Sequence, residues 1–502
     1  MNFTTESTLP LVDRYRLGKP LTEGRVGWLN SEQSTKLREL WQLLLKECDK
    51  EEYIDVQFSL KQQKAKADEA GDKSEDIGSL SFEPLMAISI KEPEPKSGGW
   101  FGWGTWQQNA TNTPPKSNSR ASTPASTDAE KGKEDDVESE ETIRQRHETV
   151  QEHLNGKGDG SVVVPVDFVP LFEQPKFKRT FRAAFWQAAT QIGDPDSWVL
   201  RFLRARQWDV KKALEMIRRT IIWRVGQAID EIAFYGESQL HNLTMNTGLA
   251  YACMEDRLGN PVYVVRVRAN VARNRNILAI KRFLCWQIET SQLLTAKSDG
   301  KVTMLFDFNG FSRENIDTKL VRTLITLLTN YYPETLGIIV LNVDSWVFSS
   351  LWMVISPFID PGVRSKIAMA RNAEELAPYI DPQVLVSELG GKKQFEYEYI
   401  PPACDENTRM ADIDGRRAAE RKFVHSVAAY EQATRQWLDN VADSTSPSNS
   451  TSPSDSTSLG DSNRGDTKET LRQAAIDLDP FIRSRTLYHR FGFVNSDHSA
   501  SF

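Results

Sequence analysis

One stretch constrains the fold more than any other: Tyr331 to Ile367, YYPETLGIIVLNVDSWVFSSLWMVISPFIDPGVRSKI. Its apolar run Ile338–Val343 is short, rich in β-branched residues, and bounded by Gly337 and by Asp344-Ser345. That is the pattern of a buried strand. Asp344 or Ser345 can cap the helix predicted over roughly Trp346–Ile355. In it, Val347, Leu351 and Val354 share one face and Phe348, Trp352 and Ile355 the next, while only Ser349 and Ser350 are polar. A helix that is apolar nearly all round does not belong on a wet surface. It must cover a core, a ligand or a bilayer, and Asp360-Pro361 ends it.

The rest of the chain is organised about this strand and helix. A helix is expected over about 30–48, with Ser31 or Ser34 as cap and Leu37, Leu40, Trp41, Leu44 and Leu45 at helical spacing. Phe181, Phe185, Ala188 and Ile192 mark a second helix. Asp196 or Ser197 is expected to cap a third, and Val210, Ala213, Leu214, Ile217 and Ile221 mark a fourth. From Gly248 the pattern changes to α/β. Two strands flank the turn Arg257–Pro261, a helix carries Ile277, Ile280, Leu284 and Ile288, and a strand spans Val302–Phe308. A helix with Leu320, Leu324, Leu327 and Leu328 follows, then the central strand, the apolar helix and a strand at Ile367–Ala370. Strands separated by helices imply crossovers and a mostly parallel sheet covered on both faces.

Composition accounts for what lies between. Hydrophobic residues make up 39% of the 502, below the usual globular share, which points to long unstructured stretches. Residues 92–160 are rich in Ser, Thr, Pro, Gly, Asn, Glu and Lys and cannot bury enough surface to offset chain entropy. The aromatic island Trp100–Trp106 inside that stretch reads as a chance cluster or a short docking motif. Residues 410–440 read as a charged helix and 441–466 as a Ser/Thr-rich linker. A net charge of −7 argues against general nucleic-acid binding. Cys48, Cys253, Cys285 and Cys404 form no CxxC pair and suit free thiols in a reducing compartment. The start MNFTTESTLP lacks a signal core, and no run reaches the roughly 18–20 apolar residues of a spanning helix. A cytoplasmic protein that touches membranes at their surface is expected.

No enzyme signature emerges. HETVQEH lacks the zinc spacing of HExxH, and no phosphate-binding Gly-rich loop or GxSxG elbow is present in the sequence. No metal or catalytic residue is assigned.

Five motifs in order carry a resemblance. They are Leu200–Arg206 followed by Trp208-Asp209-Val210, Asp256–Tyr263, Phe306–Gly310, Tyr331-Tyr332-Pro333-Glu334, and Phe358–Pro361 with Ser365-Lys366-Ile367. Together they resemble the CRAL-TRIO lipid-binding family, and the leading helix is similar to that of its fungal phosphatidylinositol transfer branch. The resemblance implies an α/β fold: an N-terminal helical subdomain, then a bowl with a mostly parallel sheet floor and an apolar gate helix, interrupted by long disordered insertions. The implied divisions are an extension over 1–60, a mostly disordered insertion over 61–160, a helical subdomain over 161–230, a lipid-binding domain over 231–400, and a charged helical and Ser/Thr-rich tail over 401–502.

What the resemblance implies for function is a non-enzymatic carrier that exchanges phosphatidylinositol between membranes, with the bound lipid in place of a cofactor. The implied headgroup residues are Arg206, Glu334 and Lys366. The gate would be Trp346, Phe348, Leu351, Trp352, Ile355 and Phe358, and the pocket floor Val265, Val302, Met304, Phe306, Ile339 and Leu341. Val302 and Met304 stand where phosphatidylcholine-binding members carry hydroxyls, so choline lipids are expected to bind weakly or not at all. Val363 and Thr335 also depart from the inositol binders. Two alternatives remain open: an uncharged cargo such as a sterol or isoprenoid, and a membrane-recruited regulator that uses the lipid domain as anchor. The expected partners are endomembranes and lipid kinases, not nucleic acid, and a monomer is expected.

Overall fold

The computed structural model describes residues 23–50, 53–54, 179–191, 193–240, 242–270, 277–295, 300–343, 352, 356, 359, 361–444, 455–496 and 498–502. Four helices open it: α1 (Ser31–Cys48), α2 (Phe181–Ala189), α3 (Pro195–Ala205) and α4 (Val210–Gly226). Their starts follow capping chemistry. Asn30, rather than Ser31 or Ser34, caps α1. It accepts from the Gln33 amide at 2.8 Å, and its own amide donates to the Gln33 side chain at 3.1 Å, a reciprocal capping box. Asp194 caps α3, accepting from the Asp196 amide at 2.9 Å, with Pro195 at the first helical position. The expected caps Asp196 and Ser197 therefore sit inside the first turn. Ile192 lies outside the described residues.

The sheet follows. Strands β1 (Ala250–Glu255) and β2 (Pro261–Arg266) form the expected hairpin, and β3 (Val302–Asp307), β4 (Leu336–Asn342) and β5 (Ile367–Ala370) extend it in the order β1-β2-β3-β4-β5. The first pair is antiparallel and the other three parallel. Asp256 holds the hairpin turn: its carboxylate accepts the Leu258 and Asn260 amides at 2.8 and 2.9 Å and the Thr303 hydroxyl at 2.7 Å. The crossovers are made by α5 (Ile277–Ser291) between β2 and β3 and α6 (Thr318–Asn330) between β3 and β4. Alternation along the strands sets two unlike faces. Leu305, Ile338 and Val340 point to one face and are 0% exposed. Met304, Phe306 and Ile339 point to the other and are only half-buried.

Two long helices complete the molecule, α7 (Ile413–Ser444) and α8 (Asp455–Ile482). The stretch 441–466, expected from composition to be a linker, is thus helical to Ser444 and again from Asp455; residues 445–454 lie outside the described set. Both helices join the core of α1–α4, where Leu40, Trp41, Phe185, Trp186, Tyr430 and Leu471 are fully or almost fully buried. A buried ion pair ties the two ends of the chain together. The Arg464 guanidinium forks onto Asp196 at 2.6 and 2.7 Å, and the Trp41 indole donates to the same carboxylate at 2.7 Å. Burial pushes the Asp196 carboxyl up, but Arg464 outweighs it and holds the group below its usual range. Beyond α8, Tyr488 meets Tyr263 of β2 edge-on and its hydroxyl accepts the Ala252 amide of β1 at 3.2 Å, while Phe491 and Phe493 pack against Phe395. Among the described residues, no helix is long and apolar enough to cross a membrane.

Removing one partner of a buried pair leaves the other charge unpaired in a dry core. Arg464→Met should therefore cost about 3–5 kcal/mol in urea unfolding. A loss under about 1 kcal/mol would show that the two ends are not held by this pair.

Candidate functional site

The half-buried face of the sheet is hollow. A cavity of about 210 Å³ lies over it, walled by α5 through Phe283, Leu284 and Ile288 and by α6 through Leu320, Leu324 and Leu328. Its floor follows the strand pairing. One row runs Tyr263–Met304–Ile339–Ile367 and the next Val265–Phe306–Leu341. All six residues predicted for the floor, Val265, Val302, Met304, Phe306, Ile339 and Leu341, line the cavity. Thr303 turns to the opposite face, where its hydroxyl is committed to Asp256. Ile359 and Val363 close one side. A surface this apolar has no means of satisfying water; it suits hydrocarbon.

A charged group stands at one end. Val302, Thr335 and Ile367 line the cavity, and each is adjacent in sequence to a charged residue, Lys301, Glu334 and Lys366 respectively. Glu334 sits in the turn Tyr332–Thr335, closed by the Thr335 amide to the Tyr332 carbonyl at 3.4 Å. Pro333 takes the second position and Glu334 the third, where φ is +60°. That position normally takes glycine or asparagine, so a glutamate there carries backbone strain. The Glu334 carboxylate lies 3.3 Å from the Lys301 ammonium and 3.5 Å from the Arg204 guanidinium. Lys366 donates to the Leu336 carbonyl at 2.9 Å and acts on Glu334 by charge.

The electrostatics follow from this grouping. Burial pushes the Glu334 carboxyl up, but Lys301, Lys366 and Arg204 outweigh it and lower it to about 2. Burial lowers the Lys301 ammonium to about 8; Glu334 supports its charge while Arg25, Lys366 and Arg204 oppose it. Gly300 is required beside it, since its φ is +70° and a Cβ there would stand 1.4 Å from the Arg201 guanidinium. The result is a carboxylate ionised at any ordinary pH amid several cations. Such a group can accept hydroxyls and, through its cations, hold a phosphate diester.

The structure brings Glu334 and Lys366 together and adds Arg204 and Lys301, which sequence reasoning did not single out. Arg206 is placed apart. It follows the last turn of α3, donates to the Ala205 carbonyl at 3.3 Å, and is held below its usual pKa by burial and by Arg219. Arg204 could have been found from helical spacing, because it lies three residues from the buried Arg201 on the same face of α3. Lys301 carried a weaker signal: a lysine directly after a glycine and before an apolar strand. Of the predicted gate, Trp346, Phe348, Leu351, Ile355 and Phe358 lie outside the described residues. Trp352 is half-buried, with the Arg364 guanidinium 5.3 Å from its ring centre. Arg266 and Arg268 bind Glu388, and Arg268 also reaches Asp307 at 2.6 Å. Cys48, Cys253 and Cys285 are buried free thiols and Cys404 an exposed one.

The chain is similar to known proteins in two regions. The family model for the CRAL/TRIO N-terminal domain matches residues 148–219, and that for the CRAL/TRIO domain matches residues 245–391. A CRAL-TRIO domain-containing protein of Schizosaccharomyces pombe is 29% identical over 62% of this chain and 68% of its own length. The phosphatidylinositol transfer protein CSR1 of Eremothecium gossypii is 28% identical over 82% of this chain and 91% of its own. The crystal structure of Sfh5 is 18% identical, covers 51% of this chain and 89% of that one, and superposes with a TM-score of 0.36.

The lowered Lys301 pKa has a measurable sign. Between about pH 8 and its ordinary value of 10.5, the unfolded chain holds the proton that folded Lys301 has lost, so this residue's contribution to stability rises with pH. The stability of wild type relative to Lys301→Met, followed by urea unfolding, should therefore shift in favour of wild type as pH climbs through that window. A difference that stays flat with pH would contradict the buried, cation-crowded setting.

Proposed function

For a chain that carries a CRAL/TRIO domain behind a CRAL/TRIO N-terminal domain, we propose the role of a non-enzymatic lipid transfer protein that exchanges phosphatidylinositol between membranes. What supports the reading is an apolar cavity whose lining residues Val302, Thr335 and Ile367 adjoin in sequence the charged Lys301, Glu334 and Lys366, with Arg204 beside Glu334. A single amphiphile fits both halves. Its acyl chains lie on the Met304–Ile339 and Phe306–Leu341 rows, where each buried CH₂ contributes about 0.8 kcal/mol. The same gain is available in a bilayer, so loading and unloading stay near balance and no bond need be made or broken. At the polar end, a lysine or arginine neutralises the diester phosphate while the Glu334 carboxylate accepts inositol hydroxyls. A relative named as a phosphatidylinositol transfer protein supports the choice of cargo. The exchange takes place at endomembrane surfaces from the cytoplasm, and delivery to lipid kinases is the natural use of such a carrier.

A second reading has one observation in its favour. The charged side chains of the group do not themselves line the cavity; Thr335 and apolar neighbours do. An uncharged sterol or isoprenoid would occupy the cavity without engaging them.

Transfer of pyrene-labelled phosphatidylinositol between vesicles separates the two. Wild type should transfer it, and Glu334→Ala and Lys366→Ala should each slow transfer by about tenfold or more, the expected loss for a hydrogen bond to a charged group. Phosphatidylcholine should move far more slowly than phosphatidylinositol. Wild-type rates in both variants would remove the headgroup assignment and favour the uncharged cargo.

A further inference from the structure

Tyr331 precedes the turn that carries Glu334 and Tyr332 is its first residue, and both are gripped from outside the lipid cavity. The Trp223 ring of α4 stacks on Tyr331, centres 4.1 Å apart and 11° from parallel, and meets Tyr332 edge-on at 5.6 Å. The Tyr332 hydroxyl donates to the Glu289 carboxylate of α5 at 2.6 Å. Glu289 is only 1% exposed, and it is held in turn. The Arg224 guanidinium of α4 donates to its two oxygens at 2.8 and 3.0 Å, and the Gln191 amide donates at 2.8 Å. Arg224 also reaches Asp230, on the short helix Ile229–Tyr235, at 2.5 Å. Burial opposes the Glu289 charge, but Arg224 outweighs it and lowers the carboxyl pKa, so the acceptor stays ionised.

This network ends on the first residue of the turn. Tyr332 supplies the carbonyl that closes it, Pro333 fixes the second position, and Glu334 is forced left-handed at the third. A non-glycine residue stays in that conformation only where its surroundings over-determine it. The Tyr332 side chain is the anchor that does so, since it joins the turn to two helices at once through one buried charge-assisted bond and one ring contact.

We propose that Tyr332, backed by Glu289 and Arg224, is a positioning residue for headgroup recognition. It sets the turn in which Glu334 faces Lys301 and Arg204, and so couples the helical subdomain to the choice of lipid headgroup. The inference rests on the headgroup reading of Glu334 given above. Tyr332 itself touches no cargo; it acts through the backbone of two residues.

The test is a double-mutant cycle in the full chain, reading transfer of pyrene-labelled phosphatidylinositol, with thermal unfolding by circular dichroism as the check on folding. Tyr332→Phe removes one hydroxyl and keeps the ring. It should slow transfer by about three- to tenfold. Combined with Glu334→Ala it should be no slower than Glu334→Ala alone, because a positioning residue has nothing left to position. A merely structural tyrosine would give losses that multiply. If Glu334→Ala is slow while Tyr332→Phe matches wild type, or if the two losses multiply, the positioning role is overturned and the headgroup reading stands. If Glu334→Ala transfers at the wild-type rate, both fall together. Should Tyr332→Phe fail to fold, Glu289→Gln takes its place in the same cycle, with the same outcomes deciding.

Discussion

The structure depends on a sheet whose two faces are treated differently. Strand alternation sends Leu305, Ile338 and Val340 to a face with no exposure at all, and Met304, Phe306 and Ile339 to a face that is left hollow. Both sets are apolar, so hydrophobicity alone does not distinguish them. What differs is the cover. One face packs against the 376–389 segment. The other faces α5 and α6, which stand off from the strands as walls. An unfilled apolar hollow forfeits the dispersion contacts that a packed core would make. A bound hydrocarbon would restore them, so this packing defect is a source of affinity for the apolar cargo proposed above.

The charged group adjoins residues of that hollow in sequence. A carboxylate in the left-handed region, beside a buried lysine and an arginine, costs free energy in three separate ways: strain, desolvation, and crowding of like charges. Nothing in the packing of β4 requires it, since Leu336 and Ile338 would enter the strand as well after a glycine turn. The arrangement is compatible with the polar headgroup proposed above. Behind it, Trp223 stacks on Tyr331 and Glu289, held by Arg224, accepts from Tyr332, so the turn is tied to helices while the cavity floor is built on strands.

Much of this was legible in the sequence. The strands were legible as short apolar, β-branched runs bounded by turn residues, because that pattern is local, whereas the six floor residues came from the family resemblance. Glu334 and Lys366 were legible from motifs. Arg204 was not, since Arg206 is the more conspicuous residue but stands past the end of α3, where helical spacing no longer tells which way a side chain points. The caps Asn30 and Asp194 were each misjudged by a residue or more, as capping depends on backbone geometry that several polar neighbours could adopt. The largest departure is α8. Its first half, DSTSLGDSNRGDTKET, has the composition of a linker. It is helical because Arg464 reaches Asp196, 268 residues away in the chain, and because Leu471 and Ala474 are fully buried against other helices. Local composition carries no trace of so distant a partner.

The account's central claim is that the hollow face of the sheet holds one amphiphile with an inositol phosphate at its charged end. Native mass spectrometry of the full chain, purified from eukaryotic cells without detergent, tests this most directly. The predicted spectrum shows a single bound glycerophospholipid per chain that releases an inositol phosphate anion on fragmentation. A spectrum of bare protein, or of protein carrying only an uncharged lipid, would contradict it.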